Sequence, residues 1–188
     1  PRLLIPVEST PGETRIAATP DTVKKFISLG CSVSVECGAG VASGYLDASY
    51  SEQGAALVAV GDASTWSQAD ILLCVQPPTS ENLRRLHQGA LVVGLMAPYA
   101  NAALATTLQQ GGLSAMSLEL LPRISRAQSA DALSSQANIA GYKSVLLASS
   151  ALDRYFPMLM TAAGTVQPAK VVILGAGVAG LQAVATAR

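Results

Sequence analysis

The stretch Lys170-Val171-Val172-Ile173-Leu174-Gly175-Ala176-Gly177-Val178-Ala179-Gly180 decides the fold. Its aliphatic run predicts a buried strand and residues 181–188 predict a helix, so the glycines join a strand to a helix. In that setting GxGxxG is typical of a dinucleotide-binding loop. Gly175 permits the tight turn, Gly177 lets a pyrophosphate approach the backbone, and Gly180 lets the helix pack on the strand. We therefore predict that all six residues, 175–180, bind a pyrophosphate at the helix N-terminus.

The acidic residue that distinguishes NAD from NADP is expected about 20 residues after these glycines. That position lies beyond Arg188, so the fingerprint alone leaves the choice between the two nucleotides open. We expect residues 166–188 to be only the start of a Rossmann domain, incomplete within this sequence.

Short aliphatic strands alternate with helical segments before the fingerprint, which predicts an α/β fold with a doubly wound, Rossmann-like parallel sheet. We predict a Rossmann-like N-terminal domain over 1–134, a bridging helix and connection over 135–165 with the helix at 135–154, and the start of the dinucleotide-binding Rossmann domain over 166–188. The strands are predicted at residues 3–5, 32–36, 57–60, 70–75, 90–95, 113–118 and 170–174, and the other helices at 19–29, 50–55, 80–86 and 102–110.

Composition excludes several classes of protein. Half of the residues are hydrophobic and charges balance at twelve of each sign, so a buried core is expected and a basic nucleic-acid surface is not. The three cysteines are odd in number and lack a CxxC pair, which argues against disulfides and a metal site and favours three small buried residues. No apolar stretch reaches the length of a membrane-spanning helix.

Four motifs carry a resemblance to a known family. The two most specific are nearly continuous: Pro122-Arg123-Ile124-Ser125-Arg126-Ala127-Gln128-Ser129 and Asp131-Ala132-Leu133-Ser134-Ser135-Gln136-Ala137-Asn138-Ile139-Ala140-Gly141-Tyr142. The others lie at residues 13–20 and 161–166. Over essentially its whole length the chain resembles the NAD(H)-binding domain of the alpha subunit of proton-translocating NAD(P)+ transhydrogenase, a family similar in fold to alanine dehydrogenase.

The resemblance implies a site on the polar segment 122–134. Arg123 and Gln128 would hold the nicotinamide carboxamide and the nearby ribose, Asp131 would orient that network, and Ser134 would contact the ribose or phosphate region. Arg123, Gln128 and Asp131 are thus the predicted catalytic residues, and no metal is implied. Polar donors and acceptors on an irregular loop suit this task, although the same residues could form a solvated linker that caps the next helix.

Two positions separate transhydrogenase from alanine dehydrogenase, and a third, Arg15, is shared with the dehydrogenases. Reduction of an imine or oxo acid needs a cation for the carboxylate and an acid for a proton. Arg15 could supply the cation and is otherwise expected in a local polar network. The lysine and histidine of the dehydrogenases align with Gln76 and Met96, which supply no proton. Hydride exchange between two nicotinamides needs no such acid, so these positions favour transhydrogenase.

Further expectations come from the resemblance alone. It implies NAD(H) on this chain, NADP(H) on a partner beta subunit, a membrane domain that couples the exchange to proton movement, and NADPH as product. It also implies a homodimer and a peripheral place on the cytoplasmic face of the inner (plasma) membrane. An NAD-dependent amino-acid dehydrogenase and a non-catalytic NAD-binding module remain the alternatives.

Overall fold

The computed structural model describes residues 1–188, which divide into two units, 1–122 and 123–188. The first unit holds six parallel strands in the order β3-β2-β1-β4-β5-β6. This is the strand order of a doubly wound α/β sheet, so the predicted fold class is confirmed. The strands are β1 (Arg2–Ile5), β2 (Ser32–Glu36), β3 (Ala56–Val58), β4 (Ile71–Leu73), β5 (Leu91–Gly94) and β6 (Ser114–Ser117).

The core of the first unit forms two clusters because side chains alternate across a strand. Leu4 points into one cluster with Trp66 and Val92, whereas Leu3 and Ile5 belong to the other. Helices cover both faces: α1 (Pro20–Ser28), α2 (Asp47–Ser51), α3 (Ala63–Gln68), α4 (Ser80–Leu83) and α5 (Ala102–Gln110).

The second unit contains a long helix α6 (Ala132–Ala151), an antiparallel hairpin of β7 (Leu159–Thr161) and β8 (Gly164–Val166), and helix α7 (Val178–Ala187). Helices α6 and α7 pack against each other. None of the seven helices combines the length and the apolar character that crossing a bilayer requires.

Several helix boundaries differ from the predictions, and side-chain caps account for two of the differences. The helix predicted at 135–154 begins at Ala132 because the Asp131 side chain caps it. The helix predicted at 50–55 lies instead at Asp47–Ser51, followed by a turn that contains Gly54 at φ 93°. Helix α3, which was not predicted, begins after Asp62, whose carboxylate accepts the Thr65 N–H at 2.8 Å. The divisions predicted at residues 134 and 165 stay predictions.

The buried strand predicted at 170–174 is wrong. These residues form no strand, and the side chains of Val172 and Leu174 are 84% and 95% exposed. A strand is stabilised by a hydrogen-bonded neighbour, and no strand of residues 1–188 pairs with this segment. The connection predicted after the bridging helix contains the β7–β8 hairpin, which was not predicted. The prediction of three buried cysteines is also wrong, because Cys37 is exposed and only Cys74 is fully buried.

Candidate nucleotide-binding site

The polar segment after the first unit is an ordered turn. Residues Ser125–Ala130 form a 3-10 helix, and its end is fixed by a 3.2 Å hydrogen bond from the Asp131 N–H to the Gln128 carbonyl. The Arg123 and Gln128 side chains are exposed on this turn. The segment therefore presents a guanidinium and an amide to the outside while its backbone is held.

Asp131 and Ser134 are joined directly. One Asp131 carboxylate oxygen accepts the Ser134 N–H at 2.9 Å and the other accepts the Ser134 hydroxyl at 2.7 Å. These two bonds lower the pKa of Asp131, and the positive charge of Arg123 lowers it further. The capping role weighed from the sequence is therefore present, with Asp131 as the cap, and the carboxylate stays ionised at neutral pH.

The structure thus brings three of the four predicted loop residues into one electrostatic network, Asp131 with Ser134 by hydrogen bonds and Arg123 with Asp131 by charge. Gln128 shares a backbone bond with Asp131, and its side chain is exposed. The guanidinium of Arg123 and the amide of Gln128 are therefore accessible to a ligand on this turn.

The three fingerprint glycines have different structural requirements. Gly175 adopts φ 114°, a conformation that favours glycine. A Cβ on Gly180 would overlap the carbonyl oxygen of Gly175 and lie 2.8 Å from its carbonyl carbon. Gly177 is different, because its φ is −79° and a Cβ there would meet no atom within 4 Å. Folding explains glycine at 175 and 180 but not at 177.

The first turn of α7 suits an anion. Gly177 is the N-cap residue, and no side chain caps this end. The first N–H groups of a helix lack intrahelical partners, and the helix dipole places positive charge there. Together with the open space beside Gly177, this end of α7 fits a pyrophosphate that needs close approach to the backbone. Gly175, Ala176 and Gly177 would line the approach, with Val178, Ala179 and Gly180 opening the helix.

At the corresponding edge of the first sheet, carboxylates are engaged by the protein itself. In open α/β sheets ligands bind at the carboxyl ends of the strands where the strand order reverses, which here is between β1 and β4. Glu8, which follows β1, bridges to the segment after β4 by accepting the N–H groups of Val75 at 2.5 Å and Gln76 at 3.0 Å. Burial raises the pKa of Glu8 above its ordinary value, although the two backbone hydrogen bonds oppose the rise.

Glu36 at the end of β2 is equally committed to the protein. Only 2% exposed, its carboxylate accepts 2.8 Å hydrogen bonds from the Val7 N–H, the Gly61 N–H and the indole Nε1 of Trp66. An acidic residue at the end of the second strand is the usual ribose ligand of a dinucleotide fold. Here that carboxylate is buried and already accepts three hydrogen bonds from the protein, so the glycine loop is the better candidate.

The structure also shows the surroundings of Arg15, Gln76 and Met96, the positions compared with alanine dehydrogenase. Arg15 forms a bidentate ion pair with Glu13, with N···O distances of 2.7 and 2.6 Å, and Gln76 Nε2 donates to the same carboxylate at 3.3 Å. Arg15 thus lies in a local polar network, as predicted, and it lowers the pKa of Glu13 to about 2. Met96 is 2% exposed within the core. Gln76 and Met96 hold no titratable proton.

Sequence reasoning missed the roles of Glu8 and Glu36. Their partners lie 67 and 30 residues away along the chain, and no local pattern marks such pairs. A weak signal existed for Glu36, since an acidic residue ends an otherwise alternating strand.

Fold and glycine loop together define an α/β protein in which a doubly wound unit is followed by a dinucleotide-binding loop. Residues 4–140 match the model of the alanine dehydrogenase/PNT N-terminal domain, and residues 144–188 match that of the C-terminal domain. The chain therefore belongs to the alanine dehydrogenase/PNT family.

Individual relatives divide between the two branches of that family. The chain is 43% identical over 192 residues to an NAD(P) transhydrogenase alpha-subunit protein of Rhodospirillum rubrum, covering all of this chain and 50% of that protein. It is 31% identical over 189 residues to alanine dehydrogenase of Mycobacterium tuberculosis, covering 97% and 49%. The chain thus spans about half the length of the curated relatives it matches.

Solved structures show the same division. The crystal structure of transhydrogenase from Sinorhizobium meliloti superposes with a TM-score of 0.94 at 46% identity, covering all of this chain and 55% of that one. An L-alanine dehydrogenase superposes with a TM-score of 0.85 at 26% identity, covering 99% and 51%. The resemblance proposed from the four motifs is confirmed.

Proposed function

We propose that this chain supplies the NAD(H)-binding part of a proton-translocating NAD(P)+ transhydrogenase. In this proposal NADH passes a hydride to NADP+ held by a partner beta subunit, a membrane domain couples the exchange to proton translocation, and NADPH is generated. The protein would act as a homodimer on the cytoplasmic face of the inner (plasma) membrane. The observation that carries nucleotide binding is the open space beside Gly177 at an uncapped helix N-terminus.

Each group of residues has its own task. The first turn of α7 would hold the pyrophosphate through backbone N–H groups. Arg123 and Gln128 would fix the carboxamide and the nearby ribose, because a guanidinium and an amide supply donors and an acceptor in fixed geometry. Asp131 would keep Arg123 and Ser134 in place. When bound, the nicotinamide ring supplies the hydride, and the protein supplies orientation and exclusion of water.

Transhydrogenation is favoured over amino-acid dehydrogenation by chemistry. An amide and a thioether have no acidic proton. Neither Gln76, which donates to Glu13, nor Met96, which lies in the core, can therefore give a proton to an imine or oxo acid. The higher identity to transhydrogenase subunits supports the same choice. An alanine dehydrogenase would oxidise NADH with pyruvate and ammonia in the absence of a partner protein.

The test is stopped-flow transfer from NADH to thio-NADP+ with the full-length protein and its NADP-binding partner. Arg123→Ala and Gln128→Asn should slow the transfer by about tenfold or more, since misplacement of a reacting ring by 1 Å can cost about a hundredfold. Arg126→Ala is the matched control, because Arg126 lies exposed on the same turn and has no proposed contact. Unchanged rates in both variants, or turnover of pyruvate, would contradict the proposal.

A further inference from the structure

The contact between α6 and α7 depends on the absence of a side chain at Gly141. A Cβ there would overlap the carbonyl oxygen of Ala179 and would lie 2.9 Å from its carbonyl carbon and 3.0 Å from its Cα. All three atoms belong to the backbone, so no rotamer change would relieve the contact. Gly141 is buried, and glycine is among the poorest helix formers. The close approach therefore explains its place in the middle of a 20-residue helix.

A second contact joins the same two helices. Asn138 Nδ2 donates a 3.0 Å hydrogen bond to Gln182 Oε1. Residues three positions apart are neighbours on one helix face, so Asn138 lies beside Gly141 on α6, and Gln182 lies beside Ala179 on α7. Two independent contacts thus fix the distance between the helices at the start of α7.

Both contacts act on the candidate site. Ala179 lies inside the glycine fingerprint, and its neighbour Gly180 is packed against the Gly175 carbonyl, so a shift of Ala179 moves the whole loop. At its other end α6 begins at the Asp131 cap and carries Ser134 one turn before Asn138. Helix α6 thus connects the polar turn directly to the glycine loop.

We infer that Gly141 is a positioning residue, which sets the spacing between the turn at residues 123–134 and the glycine loop at 175–180. This inference rests on the proposed function, in which one dinucleotide contacts both segments. Asn138 and Gln182 hold the same spacing by their hydrogen bond. A ligand that spans both segments depends on this spacing, whereas a ligand held by the glycine loop alone does not.

The experiment compares two ligands on the full-length protein by isothermal titration calorimetry. NADH reaches both segments, and ADP carries only the adenosine and pyrophosphate half. Gly141→Ala should raise the Kd for NADH by about tenfold or more. The Kd for ADP should stay within about twofold of the wild-type value. Ala140→Ser, at the exposed neighbouring position of α6, is the control and should change neither value.

Asn138→Ala provides a second variant that adds no atoms and so introduces no overlap. It should weaken NADH in the same direction, to a smaller extent, and again spare ADP; if Gly141→Ala does not fold, this variant decides the inference. Equal weakening of NADH and ADP, or no change in either, would overturn the role of Gly141. Failure of the wild-type protein to bind NADH would instead overturn the proposed function.

Discussion

The carboxylate of Glu36 accepts a 2.8 Å hydrogen bond from the indole Nε1 of Trp66, and both side chains are buried. The same oxygen also accepts the Gly61 N–H, while the other oxygen accepts the Val7 N–H. One carboxylate therefore ties the loop after β1, the end of β2 and helix α3 together.

Glu36→Gln should destabilise the protein by about 2–3 kcal/mol. The amide nitrogen that replaces one oxygen faces an N–H donor, which leaves buried polar groups unpaired. Urea denaturation measures the loss, and Trp66, the only tryptophan, reports it by fluorescence. Glu52→Gln, at an exposed position, is the control. Equal midpoints for Glu36→Gln and the wild type would show that the three bonds contribute nothing net.

Asp131→Ala and Asp131→Asn should separate the capping role from the electrostatic role. Asparagine caps a helix as well as aspartate does, so Asp131→Asn should keep the melting temperature while Asp131→Ala lowers it. The asparagine variant still lacks the charge that faces Arg123 and should slow transfer to thio-NADP+. Wild-type transfer rates in Asp131→Asn would limit Asp131 to its helix cap.

The capping contribution of Asp131 should vanish in acid. Its pKa is lower in the folded chain than in the unfolded chain, so the ionised cap contributes its full stability above the ordinary value near 4 and loses it as the pH falls through the folded pKa. The melting-temperature difference between wild type and Asp131→Ala should be constant from pH 5 to pH 7 and shrink below about pH 4. A difference that grows in acid would reverse the sign of this linkage.

Gly177→Ala and Gly180→Ala should fail in different ways. Alanine at 177 meets no protein atom, and its cost at an N-cap is offset by the reduced flexibility of the unfolded chain, so thermal unfolding should change little. The affinities for NADH and ADP should fall by about tenfold to a hundredfold through lost backbone contacts. Alanine at 180 collides with the Gly175 carbonyl and should lower the unfolding temperature. Wild-type NADH affinity in Gly177→Ala would show that no phosphate approaches this residue.

Ala97→Gly should stabilise the chain by up to about 1 kcal/mol. Ala97 is the one non-glycine residue with positive φ, at 45°, which costs about 1–2 kcal/mol before the greater flexibility of unfolded glycine is subtracted. Glu119 holds it there by accepting its N–H at 2.6 Å and that of Met96 at 3.1 Å. Urea denaturation measures the gain, and Ala100→Gly, in the same turn region, should destabilise instead.

Local signals allowed much of the first unit to be predicted. Strand β2 at Ser32–Glu36 and helix α5 at Ala102–Gln110 have their predicted bounds. The signals for both are local: side chains alternate along the strand, and the helix has a polar cap and a terminal glycine. The fingerprint was equally readable, since its three glycines lie within six residues.

Other features depend on residues far apart in the chain. The bond from Val75 to Glu8, the closeness of Gly141 to Ala179 and the indole bond to Glu36 each join distant segments, so no window of sequence contains both partners. Residues 170–174 have the composition of a strand, yet pairing with a neighbour decides whether a strand forms. The β7–β8 hairpin was missed because its strands are only three residues long and alternate weakly.

The empty space beside Gly177 has an evolutionary consequence. A small side chain at that position would meet no protein atom, so a lineage that lost its nucleotide would accumulate serine or another N-cap residue there, while glycine at 180 would persist under selection for stability. Comparing the two positions across descendants would therefore date the loss of ligand binding separately from any decay of the fold.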